Sequence, residues 1–271
     1  MKIQKRKITL WFGLVFFPLL LLAQEKTNGN GRIGFEFGAN VFFGEAAIPD
    51  RVRASKSAHE YDDFYYGYPN SNPELDHFYG GITYEYFFLD NRLGFTVGLR
   101  FSQLSSKLSA DWDQNYFVWL FRQDQTNTDY LTIRNIQQKN YYIGVPLEFR
   151  YVIPRRKDSA FRQYFKLGTA VNYRLSSTNS IEFFEPAMNK YADAVGNQIE
   201  KPSLFNAWIY PAFGFRFGRL KNVWFNIEAD LPGFMIGKKA HPFIRIDAGM
   251  GMQFSIQIPL NNNIQHKIND L

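Results

Sequence analysis

The chain has 271 residues, no cysteine, 20 Gly, 18% aromatic residues (28 of them Phe) and a formal net charge of +6. The absence of cysteine excludes a disulfide framework and thiolate chemistry. A mean hydropathy of −0.31 excludes a polytopic helical membrane protein, and the aromatic and glycine load excludes a disordered chain.

Residues 1–23 read as a cleaved signal peptide. Lys2, Lys5, Arg6 and Lys7 form a basic start, Ile8 to Leu22 is apolar, and Ala23 precedes a mature N-terminus at Gln24. The apolar stretch is short for the alternative, an uncleaved inner-membrane anchor of about 20 residues. The leader holds four basic and no acidic residues, so the mature chain keeps only +2 of the net charge. The basic pI of about 9.3 is therefore largely targeting sequence, and no nucleic-acid partner is expected.

From residue 31 onward the dominant period is two, the signature of strands. Eight segments alternate between an apolar, uncharged face and a face rich in glycine and charge. Ile33, Phe35, Phe37, Val41 and Phe43 oppose Gly34, Glu36, Gly38 and Asn40. Phe78, Ile82 and Tyr84 oppose Tyr79, Thr83 and Glu85, and Leu93 to Phe101 carries Thr96 and Arg100 on its second face. Tyr141 to Tyr151 sets Ile143, Leu147 and Phe149 against Tyr142, Glu148 and Arg150. Phe165 to Tyr173 sets Leu167 and Val171 against Lys166, Asn172 and, just beyond, Arg174. Ile209 to Phe217 opposes Trp208, Tyr210, Gly214 and Arg216, and Val223 to Leu231 opposes Trp224, Asn226, Glu228 and Asp230. In the last segment Ile244, Ile246, Met250, Met252 and Phe254 oppose Arg245, Asp247, Gly249, Gly251 and Gln253.

The segments run about 9–13 residues, the length of strands tilted across a bilayer. Long connections (44–77, 105–138, 175–206 and the shorter 232–242) alternate with short ones (89–92, 154–162, 218–222). This rhythm predicts an all-β fold: an eight-stranded antiparallel transmembrane β-barrel of the outer membrane, a meander with extracellular loops and periplasmic turns. The domain plan is a signal peptide over 1–23, a barrel over 24–260 and a polar tail over 261–271. A soluble barrel of the lipocalin kind would turn its apolar face inward, but the glycines crowd the polar face, where they relieve packing in a narrow bore. Aromatics at both ends of the apolar face form two interface girdles.

The stretch Tyr141-Tyr142-Ile143-Gly144-Val145-Pro146-Leu147-Glu148-Phe149-Arg150-Tyr151 resembles the Ile-Pro-Leu-rich strand of the PorT-like outer-membrane β-barrel family of Bacteroidota. The leader ending Leu-Leu-Ala-Gln, the Leu-Asp-Asn-Arg turn after Tyr84 and the Gly-rich last strand fit the same resemblance, which spans roughly 31–258. It implies a membrane barrel and, in one branch of the family, a part in a type IX-like secretion system. The chain departs from many outer-membrane proteins in its polar tail, which leaves Phe254 as the substitute for a terminal aromatic.

The inward charges form the candidate site: a lumen network of Glu36, Glu85, Arg100, Glu148, Arg150, Lys166, Arg174, Arg216, Glu228, Asp230, Arg245 and Asp247. Acids and bases balance, as a poorly hydrated interior requires, and a salt-bridged plug is the expectation. The alternatives are an ion pathway that makes the chain a small-solute channel, or a catalytic carboxylate pair. No catalytic motif, zinc spacing or phosphate loop occurs, so no enzyme, metal or cofactor is expected. Asp62, Asp63, His77 and His241 read as surface-loop residues. The expected partners are outer-membrane lipid and a protein or glycan at loops 44–77, 105–138 and 175–206, where aromatics are frequent. The third strand pair extends beyond the membrane through Tyr130–Ile136, and a short helix is expected near Pro186–Val195. The turns are basic, with Arg155, Arg156, Lys157, Arg162, Arg219 and Lys221.

Overall fold

A computed structural model describes residues 31–47, 52–54, 74–89, 91–109, 117–122, 128–154, 159–219, 222–237 and 241–260. The leader 1–23 with Gln24, the tail 261–271, Asp62, Asp63, the aromatics of 61–68 and the turn residues Arg155, Arg156, Lys157 and Lys221 lie outside the described residues. Among the described residues no helix is long and apolar enough to cross a membrane.

Ten strands follow in chain order: β1 (Gly31–Ala46), β2 (Val52–Ala54), β3 (Glu74–Phe88), β4 (Leu93–Ser109), β5 (Phe117–Arg122), β6 (Thr128–Val152), β7 (Phe161–Phe183), β8 (Phe205–Phe217), β9 (Trp224–Ile236) and β10 (Ile244–Pro259). Eight of them close an antiparallel ring in the order β1-β3-β4-β6-β7-β8-β9-β10, and β10 pairs back onto β1. Closure leaves no sheet edge within the ring, so every backbone group there is satisfied without solvent. β5 pairs with the far end of β6, and β2 with β5, outside the ring. A 3-10 helix (Pro186–Tyr191) and the single α-helical turn α1 (Ala192–Gly196) follow β7.

The apolar face of the alternation points out. Phe37 and Leu167 are each 60% exposed, and Phe35, Ile82, Phe165 and Phe225 are exposed in the same belt. So large an apolar surface requires a lipid solvent. Past Phe101, Tyr141 and Tyr173 the outward positions become polar, with Gln103, Lys139 and Thr178. The belt on each strand therefore spans about 9–11 residues, enough to cross the hydrocarbon at a tilt. Paired aromatics mark its limits: Phe101 and Tyr141 stack 6.1 Å apart at the loop end, and Phe161 and Phe217 meet at a tilt, 5.3 Å apart, at the turn end.

The strands outrun this belt. β6 has 25 residues and β7 has 23, so each is about 75–85 Å long, roughly twice what a tilted crossing uses. Much of what reads as loop in 105–138 and 175–206 is thus strand, with polar outward residues and, inward, apolar residues interspersed with Ser106, Gln138 and Asn179. Leu108, Leu131, Ile133, Ile136 and Phe183 line this upper barrel, and Val195, Ile199 and Phe243 enter it from the connections to form a separate core. The expected short helix is there as the 3-10 turn and α1, and Val195 is fully buried.

Inside the belt, glycines sit directly opposite aromatic rings on the neighbouring strand. Gly38 faces Tyr79, Gly168 faces Tyr210, Gly214 faces Tyr164 and Gly249 faces Phe42. A Cβ at Gly168 would lie 2.6 Å from the Tyr210 ring. Each ring lies flat over the glycine, which fills a bore of eight strands with no room to spare.

Four bulges correct the simple alternation. Opposite β1 the register shifts between Phe43 and Gly44, so that Asp247 is an extra residue in β10. Ile244 is consequently buried and Ile246 packs inward beside it, while Arg245 and Asp247 face outward and are exposed. These two charges are not lumen residues. A second extra residue lies beside Pro232 in β9, which runs on to Ile236, a third falls at Leu175 in β7, and a fourth is Arg134 in β6. Proline is tolerated in β9 because a bulge there relieves the ladder.

Depth in the belt governs substitution. Leu147, opposite Val97 in mid-belt, is expected to lose about 2–4 kcal/mol as Leu147→Arg, whereas Gln103→Arg above the belt loses about 0–1 kcal/mol. Urea titration of folding into liposomes measures both, and equal losses would contradict the assigned register.

Candidate functional site: the charged lumen

The ring brings four acids and four bases into one chain of contacts. Glu36 on β1 accepts from Arg100 Nε on β4 at 2.7 Å, and Arg100 Nη2 reaches Glu148 on β6 at 3.2 Å. Glu148 accepts from Lys166 Nζ on β7 at 3.3 Å, and Lys166 also pairs with Glu228 on β9. Glu228 accepts from Arg150 Nη2 at 2.9 Å, Arg150 pairs with Glu85 on β3, and Glu85 Oε2 meets Arg216 Nη2 of β8 at 3.1 Å. Gln253 on β10 donates to Glu36 at 3.2 Å and its oxygen accepts from Lys166 at 3.2 Å, so every strand of the ring is tied in. All these ionic side chains are about 1% exposed or less.

Tyrosines complete the pairing, and period-two reading alone gave them no such role. Tyr210 donates to Glu148 and Tyr164 to Glu228, each at 2.7 Å, and Tyr79 donates to Gln253 at 3.0 Å. Their rings also carry the cations: Arg100 lies 4.2 Å from the centre of Tyr79 and Arg150 lies 4.5 Å from that of Tyr164. The signal that could have found them is their placement opposite glycines. With each carboxylate held by a cation, none is poised to give or take a proton in catalysis.

Four of the sequence-derived lumen residues stand outside this chain. Arg245 and Asp247 face outward. Arg174 is only half-buried, and its guanidinium donates to the carbonyl of Pro202 near the loop end. Asp230 is buried above the chain, and the Asn40 amide, turned with its nitrogen toward it, lies 3.0 Å from Asp230 Oδ2. The same amide lies 3.4 Å from His77 Nδ1.

His77 and His241 are 5% and 4% exposed, so neither is a surface-loop residue. β3 starts as early as Glu74 and turns His77 inward, while the connection before β10 drops His241 into the barrel mouth. His241 Nδ1 accepts from the backbone N–H of Phe243 at 3.2 Å, so the proton sits on Nε2 and is given to Ser106 Oγ at 2.8 Å. Donating to the hydroxyl, the ring cannot deprotonate it, and Ser106–His241 is no nucleophile pair. Burial holds the His241 pKa far below its usual value, at about 3.

Both mouths are closed by packing. At the turn end Phe87, Val152, Tyr164 and Trp224 form a buried layer, with Arg32 stacked 3.2 Å and Arg216 4.1 Å from the Trp224 ring centre. Above the charges lies a second layer that includes Phe42, Leu104, Tyr142 and Trp208, and above that the loop-end core closes the barrel. Among the described residues no group of His, Asp or Glu is arranged to hold a metal.

No family model matches the chain, and no curated protein matches it. Among solved structures it is similar to the outer membrane protein OprG of Pseudomonas aeruginosa, at 14% identity over 85% of this chain and 94% of that one, with a TM-score of 0.36. It is also similar to Ail, the attachment invasion locus protein of Yersinia pestis, crystallised with the heparin analogue sucrose octasulfate. That match has 11% identity over 85% and 97% of the two chains and a TM-score of 0.32. Likeness at these levels carries no functional reading.

Removing one member of the charge chain leaves buried charge in excess: without Glu148, Arg100 keeps only Glu36 and Lys166 only Glu228. Glu148→Ala is expected to lower stability by about 3–5 kcal/mol, and its combination with Lys166→Ala by less than the two losses added. Urea midpoints of the three variants test this, and full additivity would contradict the coupling. A second outcome concerns pH. Above the usual value of 6.5, His241 is neutral whether the mouth is closed or open. Below it the opened state takes up a proton that the closed state refuses until about pH 3, so closure weakens by up to about 1.4 kcal/mol per pH unit. Amide exchange at Leu108, Ile133 and Val195, corrected for intrinsic rates, should accelerate from pH 6 to pH 4.

Proposed function

We propose that the chain is an outer-membrane β-barrel protein without enzymatic activity, whose barrel is a closed, charge-paired anchor and whose work is a structural or interaction role carried by the loop end. The single observation that carries this reading is the ladder of paired charges shut between apolar layers. A pore lined by charge conducts when water reaches that charge; here each ion has a counter-ion in place of water, and attraction at short range in a low-dielectric space is strong. The exposed apolar belt supports the membrane location, and the resemblance to PorT-like barrels supports export through the leader 1–23 to the outer membrane of a bacterium. The loop end, with long projecting strands and their connections, is the part available to a protein or glycan partner.

The channel alternative needs a continuous bore. Purified protein in a planar lipid bilayer is expected to give no steady single-channel current at neutral pH. Large, stable currents would overturn the closed-anchor reading and leave the fold intact.

A further inference from the structure

Outside the lumen the charge of the chain is divided by end. Histidine aside, the loop-end connections with the strand ends that bear them (45–77, 103–139, 174–206 and 232–247) hold 13 basic and 16 acidic residues. The three turns (89–92, 153–160 and 218–223) hold six basic and two acidic residues, and the segments 24–30 and 261–271 together add two of each. The excess of bases is therefore confined to the turn end. Among the described residues no acid is exposed there, since Glu85 is buried in the lumen.

Two of these bases, Arg92 and Arg219, have a fixed depth. Leu93 lies opposite Tyr151, and Phe161 lies opposite Phe217, at the lower limit of the apolar belt. Arg92 is one residue beyond Leu93 and Arg219 two beyond Phe217, so at about 3.3 Å per residue both stand within about 7 Å of the belt. A headgroup layer is about 5–7 Å thick, and both arginines are exposed at that level. Backbone bonds join the turns into one arc. Val152 N–H donates to the Arg92 carbonyl and Gly218 N–H to the Ala160 carbonyl, each at 2.7 Å, so the β6–β7 turn lies between the other two. Apolar side chains are exposed in the same turns. Leu89 is 66% and Val223 38% exposed, and Leu89 is held at φ 50°, in the left-handed region where a bulky residue is rare. Turns usually give such a position to glycine or asparagine, as this one does with Asn91 at φ 63°.

We infer that the turn end binds the headgroups of anionic phospholipid, with Arg92 and Arg219 holding phosphate while Leu89 and Val223 dip into the acyl boundary beside them. A guanidinium meets phosphate through two parallel hydrogen bonds, and each base close to an anionic leaflet adds to the attraction. A leaflet receives a cation and its apolar neighbour together. An acidic polypeptide would meet the bases and leave Leu89 and Val223 in water. The inference rests on the membrane reading of the preceding subsection.

The test uses the full chain in phosphatidylcholine vesicles that carry a trace of spin-labelled phosphatidylglycerol or of spin-labelled phosphatidylcholine. Electron spin resonance measures how strongly each label is immobilised at the barrel. Phosphatidylglycerol is expected to be favoured by about threefold or more, and high salt should weaken the preference. Arg92→Gln combined with Arg219→Gln should cut the preference by half or more. Lys107→Gln combined with Lys139→Gln, at outward positions of the loop end, should leave it unchanged. Equal immobilisation of the two labels by the unaltered chain, or a preference that survives the arginine changes and disappears with the lysine changes, would overturn the inference. Equal immobilisation joined to retention of a soluble glutamate-rich peptide, lost in the arginine variant, would assign the arc to an acidic polypeptide instead. Immobilisation of neither label would overturn the membrane reading itself, and is distinct from immobilisation of both.

Discussion

The fold depends on ions that cannot reach water. A ring of eight strands encloses a space only wide enough for side chains. Once charge is placed there, it must be neutralised by charge from another strand. Arg100 binds β4 to β1 and β6, Arg150 binds β6 to β3 and β9, and Lys166 binds β7 to β6 and β9. Arg150–Glu228 reaches from β6 across to β9 and Lys166–Glu228 from β7 to β9, while Glu148 ties neighbouring strands together, so ring closure and charge neutralisation are one event. A hydrophobic filling of the same volume would hold a barrel as well. The ionic filling differs in being directional: a guanidinium with two carboxylates on different strands admits few arrangements.

The apolar layers above and below serve the ions. They keep water from the carboxylates, which raises the strength of each pair. The same layers divide the molecule along its axis into a membrane section and an upper section with its own core. In the upper section the outward face is polar and the inward face carries the apolar core of Leu108, Leu131, Ile133 and Ile136 beside the buried amides Gln138 and Asn140, a reversal of the outward face in lipid. Arg134 and Glu182 illustrate it: their contact at 3.7 Å is more than half exposed, a surface pair of the ordinary weak kind. One chain thus solves burial twice, against lipid below and against water above, by inverting its pattern at the rim.

That inversion sets what the sequence could tell. Below the rim, period two with an uncharged apolar face named the strands and their inward charges, and Glu36, Arg100, Glu148, Arg150, Lys166 and Glu228 meet where that pattern points them. Above it, Leu131, Ile133 and Ile136 lie among Asn, Gln and Lys, so the strands there look like loop, and their continuation depends on pairing between β6 and β7 that is remote in sequence. Arg245 and Asp247 were misplaced for a different reason. The alternation Ile-Arg-Ile-Asp is unbroken, and only the partner strand, which skips Asp247, moves the pattern to the other face. His241 was hidden because a residue in a connection has no period, and its burial follows from where the chain re-enters the barrel.

The glycine–aromatic pairs bear on how the strands find their alignment. A slip of one residue exchanges the two faces and is rejected at once by lipid and lumen alike. A slip of two residues keeps every apolar side chain outside, and hydrophobicity is blind to it. Such a slip would carry Tyr164 away from Gly214 and Tyr79 away from Gly38, and each ring would meet a neighbour bearing a side chain. The flat ring over the bare backbone is thus a key in a lock, present at β1/β3, β1/β10 and twice at β7/β8, and it distinguishes between alignments that amphipathic patterning treats as the same.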